Sequence, residues 1–368
     1  MPIYMDRHDV SDVITAERLA QLHQEDLKIQ QQFGCKGMTY WFDDKKQTAF
    51  CLIEAPDAES IKKMHAAAHG AVPHRVIEVQ ADIVESFLGR IEDPEMAQNA
   101  ELNIINDPAF RTIMVIKLQR SEPEQKDSAE FTSSFRDLNE AFTKTLNKYD
   151  GTPVRQTNCN YLVSFKSMPN AVQAAFDIQS LFKEFKKTNK GRIILKMGLN
   201  AGMPVTEKKS IFEDTIKLAE RMCEMVKGEI ILSAEVKDLY ESQQRKTLRE
   251  TASMVALTPA DEKFLTLLMD YADAAWSDTS LKVDDFSKPM GCSKSQLYRK
   301  MIVLTGKSPN TFIKEYRLKE ALKLLNRNAG NISEIAFETG FSSPSYFSKC
   351  FQKQYGYLPS DYLPGHAR

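Results

Sequence analysis

The sequence predicts a multidomain chain that is α+β for its first two thirds and all-α at its end. Two βαββαβ-type units come first, and a pair of helix-turn-helix motifs follows. Three observations predict this. Apolar residues alternate between strand and helix periods twice over before residue 245. From Thr258 onward every segment has helical spacing. A chain of 368 residues, 42% hydrophobic and 27% charged, is long enough for two or three domains and has an ordinary soluble composition.

The first unit is residues 1–80. "PIYMD" (2–6) has strand character. Thr15 to Phe33 has helical spacing, with Leu19, Leu22, Asp26, Ile29 and Phe33 in one stripe and Gly34 as its stop. "MTYWFDD" and "QTAFCLIEA" alternate around a turn at Asp44-Lys45-Lys46, a hairpin signal. Ala58–Ala71 predicts a second helix and "RVIEVQ" (75–80) a last strand. The order βαββαβ is that of the ferredoxin-like plan.

Residues 81–110 predict a helical, partly polar connector to a second α+β unit over 111–245. In that unit "TIMVIKL" is a strand and Phe131–Tyr149 a helix. "TPVRQ" and "NYLVSF" form a hairpin, Asn170–Lys187 is a helix and "RIILKMGLNAG" a strand. A helix near Ile211–Val226 and the strand "GEIILS" complete it.

The third unit, 258–368, opens with Thr258 as a helix cap, Pro259 in the first turn and Asp261 at the positive end of the dipole. "VDDFSKPMGCSKSQLYRKM" then gives helix, turn and helix, with Gly291 at the turn and a capping box from Ser293 to Gln296. "ISEIAFETGFSSPSYFSKCF" repeats the pattern with Gly340, Ser343 and Pro344. Between them Pro309–Asn326 is a helix of 18 residues, about 27 Å long, which can hold two reading helices about one DNA turn apart.

Charge follows the same division. Residues 1–80 hold 9 Lys+Arg against 12 Asp+Glu, whereas 291–368 hold 12 against 5. The basic end is where double-stranded DNA would bind. There is no run of eighteen apolar residues and no signal-peptide pattern, and the six cysteines are scattered without a CxxC pair. A reduced, cytoplasmic protein without a membrane partner is expected.

"SQLYRKM", "TGKSPNTFIKEYRLKEALKLL" and "ISEIAFETGFSSPSYFSKCFQKQYGYLPSDY" closely resemble the AraC-type DNA-binding domain over about 259–362. The resemblance implies a transcriptional regulator that reads DNA with two helices. Base-edge contacts would fall on Ser295, Tyr298 and Arg299 of the first, and on Ser345, Ser348 and Lys349 of the second. Lys294, Lys300, Lys307 and Lys353 would meet phosphates, which position the protein without reading sequence. Two departures stand out. Pro289 falls inside the first scaffold helix and is expected to distort it, and Leu363 stands where the family commonly has a basic residue.

"DGTPVRQTNCNYLVSFKSMPNAVQAAFDIQ", "LKMGLNAGMPV" and "SIFEDTIKLAERMCEMVKGEIILSAEVKDL" resemble the class III nucleotidyl cyclase homology domain over about 111–242. That reaction needs two carboxylates to hold two metal ions, and an Asn and an Arg to stabilise transition-state charge. Here the carboxylate positions fall on Lys117 and Cys159 and the Asn position on Lys217, leaving Arg221. A lysine repels the ion that a carboxylate would bind. The expectation is a non-catalytic domain that keeps the family's dimerisation, and hence a homodimer suited to paired half-sites.

The histidines are unevenly placed. His8, His23, His65, His69 and His74 all lie before residue 75, out of six in the chain. His65 and His69 share a helix face. The topology draws the end of the first strand and the end of the second helix to one edge of the sheet, with Asp9, Asp12 and Glu17 near in sequence. Imidazoles with few thiols suit nickel, zinc, copper or iron(II); Cys51, mid-strand, is expected in the core. "HQEDLKIQQQFG", "TYWFD", "FCLIEAP" and "MHAAAHG" resemble a small family of nickel-binding ferredoxin-like proteins over 1–80, which favours nickel and implies dimers through the sheet. Bland packing of each histidine is the competing account. Others are an organic effector and an acid–base enzyme of isomerase or oxygenase type fused to a DNA-binding tail.

Together these readings describe a sequence-specific DNA-binding regulator whose first unit senses a transition metal or small ligand, with no catalytic residues of its own. Effector binding would shift the dimer between arrangements of its reading helices.

Overall fold

The computed structural model of the chain describes residues 1–94, 102–120, 129–189, 193–244 and 253–362. The first unit comprises β1 (Ile3–Asp9), α1 (Ala16–Ile29), β2 (Lys36–Asp43), β3 (Thr48–Glu54), α2 (Ala58–Ala68) and β4 (Arg75–Val79). Its antiparallel sheet has the order β2-β3-β1-β4. Thr15 caps α1 by accepting from the Arg18 N–H, and a 3-10 turn over Gln30–Phe33 leads into Gly34, whose φ of 65° turns the chain away. Helix α2 ends at Ala68, short of the expected Ala71, because His69 leaves the helical region and Gly70 takes φ 79°.

Strand β3 is buried without a break from Thr48 to Ile53, since both faces of the sheet are covered. Toward α1 and α2, Tyr40, Phe42, Ala49, Cys51 and Ile53 pack with Leu19, Ile61 and Met64. On the opposite face Met5, Trp41, Phe50, Leu52 and Ile77 join Phe87 of α3 (Ala81–Leu88) and residues of the second unit, among them Ile113, Leu162 and Phe212. The resemblance drawn from the sequence implied dimers through this sheet. The structure instead fills that face with the same chain.

The expected connector helix over 81–110 is only partly present. Gly89 (φ 83°) ends α3 at Leu88, and no helix follows among the described residues to 110. The buried Arg111 guanidinium takes up the freed carbonyls of α3, donating to Phe87 O (3.1 Å) and Leu88 O (3.2 Å). The stretch before it is tied to β2. The Tyr40 hydroxyl accepts from the Ile105 N–H at 2.8 Å, and the Phe42 N–H donates to Asp107 O at 3.0 Å.

The second unit runs β5 (Arg111–Arg120), α4 (Ala129–Lys148), β6 (Thr152–Gln156), β7 (Asn160–Phe165), α5 (Met168–Thr188), β8 (Ile193–Gly202), α6 (Glu213–Met225) and β9 (Ile230–Leu232). Two further elements, α7 (Ala234–Gln244) and β10 (Met254–Ala256), carry no separate expectation from the sequence. The sheet order is β10-β9-β8-β5-β7-β6, with the β8–β9 and β9–β10 pairs parallel and the other pairs antiparallel. Helices α4 and α5 cover one face through Phe142, Ala175, Ile178 and Phe182. Helices α3 and α6 lie on the other. The α6 backbone can approach because Gly198 of β8 has no side chain: a Cβ there would stand 2.3 Å from Ala219 O.

The third unit is helical: α8 (Pro259–Ala275), α9 (Val283–Ser287), α10 (Lys294–Thr305), α11 (Pro309–Asn326), α12 (Ile332–Glu338), α13 (Pro344–Tyr355) and α14 (Pro359–Tyr362). Helix α11 serves two cores. Phe312 and Ile313 pack with Leu268, Leu297 and Met301, whereas Leu318, Ala321 and Leu325 pack with Ile335, Phe347 and Phe351. Pro289 does not distort a helix as expected. Helix α9 stops at Ser287, so the proline lies in the turn that Gly291 (φ 59°) completes. Leu363 lies outside the described residues.

Among the described residues no helix is long and apolar enough to cross a membrane. Because Gly198 sets the distance between α6 and the sheet, Gly198→Ala should destabilise the chain by about 1–3 kcal/mol. Urea unfolding followed by circular dichroism measures this; an unchanged midpoint would mean that α6 is free to move off β8.

Candidate metal centre and nucleic-acid interface

Asp6 and His8 sit two apart on β1 and face α1 and α2. Strand β1 pairs Met5 with Leu52 and His8 with Ala49, and between these the Cys51 N–H donates to Asp6 Oδ1 at 2.9 Å. Asp6 is fully buried. Its other oxygen lies 2.9 Å from His65 Nε2 and 3.5 Å from His8 Nε2. His65, also buried, meets Asp26 Oδ2 with its second nitrogen at 3.1 Å, and His69 Nε2 meets Asp26 Oδ1 at 3.2 Å. The result is a chain of alternating acid and imidazole, drawn from β1, α1 and α2.

The electrostatics follow from that chain. Burial would raise the Asp6 pKa, but His8 and His65 outweigh it and hold the carboxyl well below its ordinary range. Burial likewise works against charge on His65, yet hydrogen bonds to Asp26 and Asp6 raise its pKa to about 10. Asp26 is lowered against its burial by His65 and His69. His23, which packs on Tyr40 with ring centroids 5.0 Å apart, is pushed down by burial. Burial first, and then Asp6 and Asp26, raises the Cys51 thiol well above its usual value.

Beside these groups is a small cavity of about 30 Å³ whose lining includes His8, His23, Asp26, Cys51, His65 and His69, room for one small ion or water. Asp6, His8, Cys51 and His65 have donor atoms within 4.8 Å of one another, as do Asp26, His65 and His69. His8 Nε2 is buried without a hydrogen-bond partner. A nitrogen and oxygen donor set of this kind suits divalent nickel, zinc, copper or iron. An ion would take the place of the His65 proton.

Of the five histidines singled out in the sequence, the structure gathers four. His74 is exposed, and its Nδ1 accepts from the Asp9 N–H at 3.1 Å outside the cluster. Asp9 pairs with Arg7 at 2.7 Å, and neither Asp12 nor Glu17 lines the cavity. The acids that do reach it, Asp6 and Asp26, were missed. Both left a signal: an acid one strand period before His8, and an acid inside the apolar stripe of α1. Cys51 is buried as expected, but its thiol faces the cavity.

In the third unit, Ser293 and Ser343 cap α10 and α13. Leu297, Met301 and Leu304 turn inward, which leaves Ser295, Tyr298 and Arg299 exposed on one side of α10. On α13, Ser345 and Lys349 are exposed and Ser348 is half-buried. Tyr346, which the sequence reading passed over, is 54% exposed beside them. The phosphate candidates differ more. Lys300 turns to α8, donating to Ala260 O (3.0 Å) and pairing with Asp261 (3.2 Å), and it is not a free phosphate ligand. Lys294 pairs with Asp284, and Lys307 pairs with Glu315 at 2.6 Å.

Of the four positions that the sequence reading assigned to cyclase chemistry, Lys117, Lys217 and Arg221 carry ion pairs. Glu224 of α6 receives Lys117 (2.7 Å) and, from α11, Lys319 (2.9 Å). Lys217 meets Asp270 of α8 at 3.3 Å; Arg221 bonds Asp270 and reaches Asp273 at 3.5 Å and Thr266 O at 3.3 Å. Cys159 is half-buried at the β6–β7 turn, where its carbonyl accepts from the Leu118 N–H at 2.7 Å.

A pH dependence follows for the metal-free chain. His65 is charged in the folded state up to about 10, so its contribution is complete below the ordinary value of 6.5 and is lost as pH rises between the two. Asp6 is depressed from 3.8, so its contribution holds above that value and is lost on further acidification. Thermal midpoints measured from about pH 2 to about pH 10 should be highest between about pH 4 and about pH 6.5 and fall on both sides. His65→Gln should flatten the alkaline fall; an alkaline limb of unchanged slope in that variant would remove His65 as its source.

Comparison with known proteins places these two regions. Residues 4–79 match the family described as nickel responsive protein SCO4226-like, and residues 286–364 match a helix-turn-helix domain family. A histidine kinase, P4, of Formosa agariphila is 39% identical over 112 residues, 30% of this chain and 8% of that protein. The HTH-type transcriptional regulator YidL of Escherichia coli K12 is 32% identical over 102 residues, 28% of this chain and 33% of that one. The chain thus spans a third or less of the length of these two relatives. The crystal structure of SCO4226 from Streptomyces coelicolor A3(2) aligns at 32% identity over 21% of this chain and 94% of its own, with a TM-score of 0.20. The chain therefore joins an SCO4226-like N-terminal domain to an AraC-type helix-turn-helix DNA-binding domain.

Proposed function

We propose that the chain is a sequence-specific DNA-binding transcriptional regulator whose first unit binds a transition metal ion, nickel before zinc, copper or iron. The observation that carries the metal half is the small cavity ringed by imidazole, carboxylate and thiol, where Asp6, His8, Cys51 and His65 bring donor atoms within 4.8 Å of one another. Asp6, His8, His65, His69 and Asp26 would hold the ion, with His23 and Cys51 on the cavity wall and His74 excluded. An ion there would supply charge and cross-links among β1, α1 and α2. The DNA half rests on the helix-turn-helix match and on the exposed faces of α10 and α13. Ser295, Tyr298 and Arg299, with Ser345, Ser348 and Lys349, are the base-reading set; Lys353 remains as a phosphate contact, and Lys294 becomes one by leaving Asp284.

Both α+β units are read as ferredoxin-like, each with the strand order of a βαββαβ sheet and the second extended by β9 and β10. The second unit is a non-catalytic relay in a homodimer. The acid–base enzyme reading is the alternative, and turnover lost in His65→Ala/His69→Ala would favour it.

Metal content of the untagged chain, by elemental mass spectrometry after equilibration with nickel, tests the first half. One ion per chain is expected, and its loss in His65→Ala/His69→Ala; no ion in the parent chain would overturn the assignment. DNA affinity is measured on a site selected from random oligonucleotides. It should fall steeply with salt, and Arg299→Ala should relax discrimination at one position by about 1–3 kcal/mol. Binding indifferent to both salt and sequence would sink the regulator reading. Nickel that binds but leaves affinity for that site unchanged would rule out the coupling.

A further inference from the structure

A cleft of about 540 Å³ opens between α3 and the sheet and α6 of the second unit. Helix α3, which follows the first unit, supplies Ile83 and Phe87; β6 and β7 supply Arg155 and Leu162; α6 supplies Ile216 and Glu220. Its volume falls in the range of small-molecule sites, and its floor is apolar. Two of its four charged residues are already engaged. Glu213 accepts from the Ser210 N–H at 3.1 Å, and Lys217 is held by Asp270 at 3.3 Å. Arg155 on the sheet wall and Glu220 on the helix wall have no hydrogen bond or ion pair among the described residues.

We propose that this cleft binds a small zwitterion with an apolar body, the chemistry of an apolar amino acid or a short apolar peptide. The carboxylate meets Arg155, the ammonium meets Glu220 and the apolar part lies on Phe87, Leu162, Ile216 and Ile83. A lone anion leaves Glu220 unmatched and a lone cation leaves Arg155 unmatched; only a ligand of both charges answers both walls. The helix that carries Glu220 also carries Lys217 and Arg221, which grip α8, so an occupied cleft touches the element on which the DNA-binding unit rests.

Calorimetric titration of the full chain tests the site directly and does not depend on whether the chain binds metal or DNA. The probes are leucine, phenylalanine and leucyl-leucine, beside N-acetyl-leucine and leucinamide. One zwitterion per chain is expected, with either blocking group weakening binding about tenfold or more. Whichever of the free amino acid and the dipeptide binds more tightly identifies the source. Arg155→Gln should erase the difference between leucine and leucinamide, and Glu220→Gln the difference between leucine and N-acetyl-leucine, both variants keeping the parent circular dichroism. No heat with any zwitterion at millimolar concentration would overturn the proposal. So would N-acetyl-leucine binding as tightly as leucine, or leucine binding unchanged in both variants.

Discussion

Helix α6 has little surface left to solvent, and the arrangement of the three units depends on that. Its apolar side lies on β5 and β8 at the short distance that Gly198 permits. Met222 and Met225 belong to the same cluster as Phe264, Leu265 and Leu268 of α8 and Leu297 and Met301 of α10. Lys217, Arg221 and Glu224 close the contact with acids and a lysine of the DNA-binding unit. The first helix-turn-helix therefore has no core of its own: part of it is supplied by the α+β unit before it. A displacement of α6 would have to repack both sides, which makes it a natural path from the α+β units to the reading helices.

A second constraint governs the first unit. A fully buried aspartate is costly unless its charge is matched. Asp6 is matched by a backbone N–H and two imidazoles, and the matching continues through His65 to Asp26 and His69. The same groups that balance one another by sharing protons are the groups that a divalent ion prefers. The cluster balances its own charges and is chemically suited to an ion.

Much of the fold was legible from local pattern. Strand and helix periods placed nearly every element of the first two units, and caps such as Thr15, Thr258, Ser293 and Ser343 marked helix starts because their chemistry is local. Helix α11 was readable to the residue, since Pro309 opens it and its apolar positions run through Leu325. The end of the connector, residues 102–110, was not legible for a physical reason. Residues 102–110 are held by Tyr40 and Phe42 of β2, contacts from far along the chain that no local period records. The continuous burial of β3 was visible only as a run of apolar residues, which cannot say what covers its second face.

The histidines show the same division. Their crowding before residue 75, the shared face of His65 and His69 and the basic, doubly capped C-terminal unit were determined by the sequence alone, because spacing and composition are properties of the chain. Tertiary structure decided which acids join them. Asp6 and Asp26 come from a strand and a helix that meet His65 only when α1 and α2 settle on the sheet, while His74 and Asp9 end outside it. It also decided that Lys300 serves α8, and that Lys217, Arg221 and Glu224 bind the third unit. Such pairings depend on direction and distance between elements remote in sequence, and those quantities exist only once the cores have packed.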